Sequence, residues 1–454
     1  MSQTDISPLA IFSLLLMMFL AAIDTTILAA AMPEIVRLLG QPELYHWGFT
    51  AFMLCSTLAL PFFGRLADQI GVRSCMLAAG SIFLLGSALC TVAESMALLI
   101  AGRAVQGLGA AGLQGLPLIA FGVLYPPEQR GAKQGLISIV WGFSSLAGPS
   151  VGGFLVAWFS WRWIFGLNVL IGLVALALFW QTFPATKTPP ARQKLDLFST
   201  GLLLGGLSSL ILLSSVRLNA LSSMGYLLCF GVLGFFIWRQ QRISNPLVPL
   251  QHFASPVYRL AVLLGFTAFF VGFAALTFIP LYLQEVLAYT PKQTGLILTP
   301  MMLTWPISSA LAGRWLNQLG FRTWALLGTA SLFSSMLAWG MIGHGWLSPA
   351  SLLLWCIMMG LGMGCLTPIV LVAAQSIAPR HEIGVASSTL VLLRSIGTTL
   401  GVSLMGALQV AAQLSLGLQS ALGWVFSCLA VFALLNLISS TQLPDCAPAA
   451  LERL

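Results

Sequence analysis

Residues 64–73 read Gly64-Arg65-Leu66-Ala67-Asp68-Gln69-Ile70-Gly71-Val72-Arg73. At an offset of 249 the chain reads Gly313-Arg314-Trp315-Leu316-Asn317-Gln318-Leu319-Gly320-Phe321-Arg322, with five of the ten positions identical. Both copies fall at short breaks between long apolar runs, so one connection is made twice in the same orientation. Two like halves built this way are a transporter architecture.

The flanking runs set the class. The chain has 454 residues, 58% hydrophobic and 7% charged, with a mean hydropathy of +0.95. Too little polar surface remains for a water-soluble domain. Apolar runs of ~20 residues recur from end to end, each long enough to cross ~30 Å of hydrocarbon as a helix. The alternation of barrel strands is absent. The expectation is an all-α polytopic membrane protein with about 14 transmembrane helices on this length rule. The first run lacks a basic leader and a cleavage site and reads as a retained helix.

The repeat offset is longer than a plain six-plus-six layout gives. The expected organisation is an N-terminal six-helix bundle over 1–183, a cytoplasmic linker over 184–196 and an inserted transmembrane hairpin over 197–240. A second linker over 241–258, a C-terminal six-helix bundle over 259–441 and a cytoplasmic tail over 442–454 follow. With the N-terminus inside, inside loops and tail hold fourteen Lys and Arg residues against four outside. Both termini are therefore expected in the cytoplasm. The net charge of +8 follows from this bias and calls for no nucleic-acid partner.

The eight cysteines are scattered without a CxxC pair and read as small apolar residues, and the four histidines form no metal cluster. No cofactor is expected. No phosphate-binding GxxxxGK[ST] sequence occurs, so nucleotide hydrolysis is excluded as the energy source and an ion gradient is expected instead.

Asp24 is the one acid inside an expected membrane helix, within the apolar stretch 11–31. An ionisable group there is expensive unless it meets a cavity or a partner, which makes it a functional candidate. It lies seven residues from the outer end of its span, or ~10 Å deep at ~1.5 Å per residue. Arg103, six residues into the fourth span, lies ~9 Å deep by the same rise. If the two helices face one cavity, the opposite charges meet and proton exchange at Asp24 couples to the conformational cycle; otherwise they form a static pair. Gln106 is one turn from Arg103 on the same side, and Gln114 is eight residues further. Their amides serve substrate, Arg103 or helix-to-helix hydrogen bonds.

At these residues the chain resembles the major facilitator superfamily and, within it, the 14-helix drug:proton antiporter family. Gly64–Arg73, with Gly64, Asp68, Gly71 and Arg73, resembles the signature loop between its second and third helices. Arg103-Ala104-Val105-Gln106-Gly107 resembles its fourth-helix motif. Gly148-Pro149-Ser150-Val151-Gly152-Gly153 resembles the fifth-helix antiporter motif. Asp24-Thr25-Thr26 with Pro33 resembles the first-helix motif of the drug antiporters, and Trp161–Phe165 with Asn168 a stretch of the 14-helix branch. The sequence departs from these patterns at Gln69, Val72, Asn317, Ser144 and Phe52.

The resemblance implies a role for each motif. Asp68 clamps an inner gate, and Gly313 and Asn317 repeat that gate without the charge. Gly148, Pro149, Gly152 and Gly153 make a close, leak-tight contact that favours exchange. At the offset of 249 the place of Asp24 is taken by Phe273, which confines proton chemistry to the first half. Trp47, Trp141, Phe143 and Phe273 are candidates for an aromatic substrate wall. Arg394, near mid-membrane with no acid in a neighbouring span of the later half, either faces the cavity or bonds carbonyls.

The expected function is a secondary active transporter of the bacterial plasma (inner) membrane, not an enzyme. It would act as a monomer in lipid, exchanging protons for hydrophobic or amphipathic, expectedly cationic, drugs by alternating access. Export of one dedicated metabolite or siderophore, or a non-transporting sensor or scaffold, are the competing expectations.

Overall fold

The computed structural model describes residues 7–41, 44, 47–184, 198–199, 201–202, 205–206, 209, 220–243, 250–379 and 382–445. Most of the linker 184–196, most of the expected span 197–216 and the tail after Asp445 lie outside the described residues.

Among the described residues eleven α-helices carry the fold. They are α1 (Pro8–Leu39), α2 (Trp47–Ile70), α3 (Val72–Thr91), α4 (Met96–Leu124), α5 (Pro127–Trp158) and α6 (Arg162–Thr182). After these come α7 (Ala220–Gln240), α8 (Pro256–Leu281), α9 (Pro291–Gly343), α10 (Leu352–Ile377) and α11 (Ile383–Ser440). Ten helices among the described residues are long and apolar enough to cross a membrane. The glycine- and serine-rich α5 is not among them.

Local chemistry sets the helix ends. Ser7 caps α1 by accepting from the Ala10 amide, Ser95 caps α4 through Leu98, and Thr290 with Gln293 forms a capping box on α9. The repeated decapeptide breaks the helix at its glycine each time. Gly71 (φ 84°) separates α2 from α3, and Gly320 (φ 72°) bends α9 into two arms. Side chains rarely take this backbone conformation, so glycine is required at both places. Gly417 (φ 77°) divides α11 in the same way.

The apolar side chains collect into separate cores. One is built from α1–α6, around Phe63, Phe83 and Phe121. A smaller neighbour near the far end of those helices includes Trp161 and Phe165. The other large core belongs to α8–α11, around Tyr282, Trp339 and Phe426. Phe236 of α7 packs with Leu392 and Ile396 of α11 and Leu58 of α2, so α7 lies where α2 meets α11.

Candidate functional site

Asp24 is buried to 0% exposure, and its carboxylate is fully engaged. Arg103 pairs with Oδ2 through Nη1. Oδ1 accepts from the Gln106 amide at 2.9 Å and from the Asn168 amide at 2.7 Å. Arg103 Nη1 also donates to Gln106 Oε1 at 2.6 Å, and its Nε donates to the Gly48 carbonyl at 3.0 Å. Gln106 Nε2 further donates to Ser87 Oγ at 2.9 Å. The Phe52 ring lies 4.2 Å from the guanidinium carbon. The carboxylate of α1 is thus held directly from α4 and α6, and Arg103 and Gln106 extend the network to α2 and α3.

This arrangement answers the cost of burying charge. A buried ion pair is tolerable only when the remaining donors and acceptors are also satisfied. Here Gln106 bridges the two ions and Asn168 fills the second oxygen. The bonds share their members, so displacing any one side chain of the cluster disturbs several others together.

The helix carrying the Gly148–Gly153 motif backs this site directly. A Cβ at Gly148 would collide with the Thr26 hydroxyl and approach the Ile27 amide to 3.1 Å. Thr26 Oγ1 also donates to the Ser144 carbonyl at 3.0 Å. The segment of α1 that bears Asp24 is therefore held flush on α5. Gly152 is buried, but Gly153 faces open space and makes no close approach. The Pro149 side chain lies outside the described residues.

The repeated loops close one end of the molecule. Asp68 Oδ1 accepts from the Gly384 amide at 3.0 Å and Oδ2 from the Val385 amide at 2.9 Å. The carboxylate therefore caps the start of α11, where a helix favours negative charge. Gly64 lies against Gly384 and Ser388 of α11, with no room for a side chain. In the second copy, Gly313 of α9 lies equally close to Gly131 of α5, and Asn317 follows one turn later. The α5–α9 seam continues through a Ser138–Ser309 hydroxyl pair at 2.6 Å to Gly142, where a Cβ would stand 2.6 Å from Pro306. Arg73 is not at this seam; it donates to the Trp180 carbonyl near the end of α6.

The remaining candidates divide. Gln106 is wholly buried in the acid cluster and lines no open wall, whereas Gln114 is half-buried and makes no hydrogen bond to that cluster. Trp47 is 40% exposed and Phe143 60% exposed, the latter 5.8 Å from Phe19. Trp141 is half-buried beside the first-half core. Phe273 stacks on Phe269 at 5.6 Å and meets Trp305 edge-on at 6.1 Å, forming an aromatic group in the later half. Phe270 and Phe278 of the same helix turn into the core instead. Arg394 is 4% exposed and donates to the Thr367 carbonyl at 2.8 Å. Two contributors to the acid site escaped sequence reasoning, Asn168 as a site residue and Ser87 altogether. The signal for Asn168 was its isolation as an amide inside the apolar helix α6, where a polar group demands a partner.

The Major Facilitator Superfamily model matches residues 14–402, most of the chain. The chain belongs to the Major Facilitator Superfamily. As a member, this facilitator has the fold of secondary transporters and is not an enzyme. It is 30% identical over 409 residues to "Multidrug transporter protein MdtP" of Bacillus subtilis (strain 168), covering 88% of this chain and 74% of that protein. It is 31% identical over 411 residues to "Multidrug resistance protein 3" of the same organism, covering 88% and 79%. Its fold matches the crystal structure of the human organic anion transporter MFSD10 (TETRAN) with a TM-score of 0.72 at 16% identity, over 96% of this chain and 100% of that one.

Proposed function

We propose that this facilitator is a proton-coupled antiporter that exports hydrophobic and amphipathic drugs by alternating access. The observation that carries the reading is the Asp24 cluster: one membrane-buried carboxylate held by Arg103 and Gln106 of α4 and Asn168 of α6, in a network that extends to α2 and α3. The names of the two Bacillus relatives support drugs as the cargo. Asp24, the one buried carboxylate among the described residues, is already engaged by Arg103, Gln106 and Asn168, so it offers no open partner for a cationic charge on the cargo.

In this reading the sealed seam, with Asp68 on the start of α11, is the closed cytoplasmic gate, and the molecule faces outward. Asp24 takes up a proton from the outer side as substrate leaves. The weakened pair then frees α1 and α4 to shift, the gate parts, and the proton is released inside. The setting is a bacterial plasma membrane, with both termini cytoplasmic, the protein acting as a monomer among lipid. Counting the two arms of α9 separately, adding α5, and adding the inserted hairpin brings the spans to the expected fourteen. Two six-helix bundles then flank that hairpin.

The test is substrate-induced proton release from detergent-solubilised protein, wild type against Asp24→Asn. Adding an exported dye should acidify the wild-type solution and leave the variant unchanged. Equal release from both, or uphill extrusion that survives in the variant, would remove the carboxyl from the mechanism.

A further inference from the structure

Asp24 and Arg103, both buried well inside the described membrane helices, neutralise each other. Among the described residues Arg394 has no such counter-ion: α8, α9, α10 and α11 contain no Asp or Glu, and Glu285, just past the end of α8, is exposed. Among the described residues its one hydrogen bond goes to the Thr367 carbonyl, and its guanidinium lies 5.0 Å from the Phe269 ring. Its Nε is buried without a partner. A guanidinium carries five N–H donors, so one carbonyl and one ring face leave most of this group's capacity unused. A merely structural arginine would be expected to spend those donors, because an unpaired buried donor costs about 1–3 kcal/mol.

Its place in the fold is as telling. Val391, one turn earlier on α11, lines a small gap with Leu60, Phe63 and Ile119 of α2 and α4. Residues three apart share a helix face, so Arg394 stands ~4.5 Å further along the same side of α11 at the helical rise. Gly265 of α8 gives it room; a Cβ there would approach Nε to 3.3 Å. Beside it stand Phe269 and Phe273, closed edge-on by Trp305, which neighbours the Pro306–Gly142 contact between halves. A cation with free donors, an aromatic wall and the seam of the two halves therefore meet at one level.

We infer that Arg394 receives an acidic group, a carboxylate or sulfonate, on an aromatic substrate whose ring packs on Phe269, Phe273 and Trp305. The preferred cargo is then anionic or zwitterionic, since a purely cationic compound meets only a net positive interior. Planar two-point pairing suits guanidinium to carboxylate, and a ligand lacking the acid leaves Nε unpaired. This assignment rests on the exporter reading for its physiological meaning, but the binding event does not require transport.

The test uses two dyes with one chromophore: rhodamine B, which carries a free carboxylate, and its ethyl ester, which does not. Fluorescence anisotropy with purified full-length protein in detergent gives both affinities. Wild type should bind the acid at least about tenfold more tightly than the ester, the equivalent of about 1.4 kcal/mol. Arg394→Met should bring the ratio to about one, with the ester affinity changed less than about twofold, whereas Arg394→Lys should retain part of the preference. If Arg394→Met fails to fold, the lysine variant and the wild-type ratio still decide. Equal affinities in wild type, a preference that survives in Arg394→Met, or no binding of either dye at millimolar concentration would overturn the assignment. Acid preference without proton-driven transport in proteoliposomes would sink the antiporter reading and leave this one standing; transport without the preference would do the reverse.

Discussion

Asn168 of α6 and Gln106 of α4 donate their amides to the same carboxylate oxygen of Asp24. The acid therefore ties α6 to α4 as well as to α1. Asn168→Leu removes one of the two donors on that oxygen while Gln106 stays, and should lower stability by about 1.5–3 kcal/mol, the worth of a hydrogen bond to a charged group. Arg103→Leu strands the carboxylate and should cost more, about 3–5 kcal/mol. Thermal unfolding in detergent orders the two, and an Asn168→Leu variant as damaged as Arg103→Leu would contradict the bridging geometry.

The α5–α9 seam can be tested by covalent locking. Ser138 Oγ and Ser309 Oγ are 2.6 Å apart, close enough for a disulfide after modest side-chain rotation. In a background cleared of native cysteines, Ser138→Cys with Ser309→Cys should cross-link spontaneously. The oxidised protein should lose most of its transport and recover it with reductant. Unimpaired transport after cross-linking would mean that the seam does not open during the cycle.

Gly148 and Gly153 belong to one motif yet should behave in opposite ways. Gly148→Val drives a side chain into Thr26 and Ile27 and should destabilise by about 1–3 kcal/mol, as overpacking does. Gly153→Ala meets nothing within 4 Å and should be neutral or gain up to about 1 kcal/mol from helix propensity. Melting temperatures of the two variants decide the matter.

Gly71 and Gly320 hold matched positions of the repeat and matched positive φ values of 84° and 72°. Alanine at either position should cost about 1–2 kcal/mol, the penalty for an L side chain in the left-handed region. Similar losses in folded yield at both are expected, and tolerance at one alone would show that the two bends bear different loads.

Much of this was legible because a helix converts residue number into height. Counting from the span ends put Asp24 and Arg103 at one depth, and the structure brings them into contact. The decapeptide repeat likewise pointed to two connections of one kind, and both turn on a glycine. Rotational setting was harder to read. The spacing set Gln106 on the Arg103 side, but it did not tell that Gln114, placed near the same face, would stay outside the acid cluster, or that Arg73 would bond α6 instead of the repeated loops' seam. Those choices depend on which neighbour each helix face meets. Asn168 was passed over as a site residue because its partner lies 144 positions away in the chain.

The two edges of the sealed end are fastened by different means. At α2–α11 a carboxylate grips two backbone amides, and α7 lies across the outside of the same joint. At α5–α9 the fastening in view is bare glycine backbone and a pair of hydroxyls. Parting the first joint must strip a carboxylate from its two amides, whereas parting the second must separate closely apposed backbone. The two sides should therefore answer to different perturbations, charge removal at Asp68 loosening one and added bulk at Gly131 or Gly313 the other.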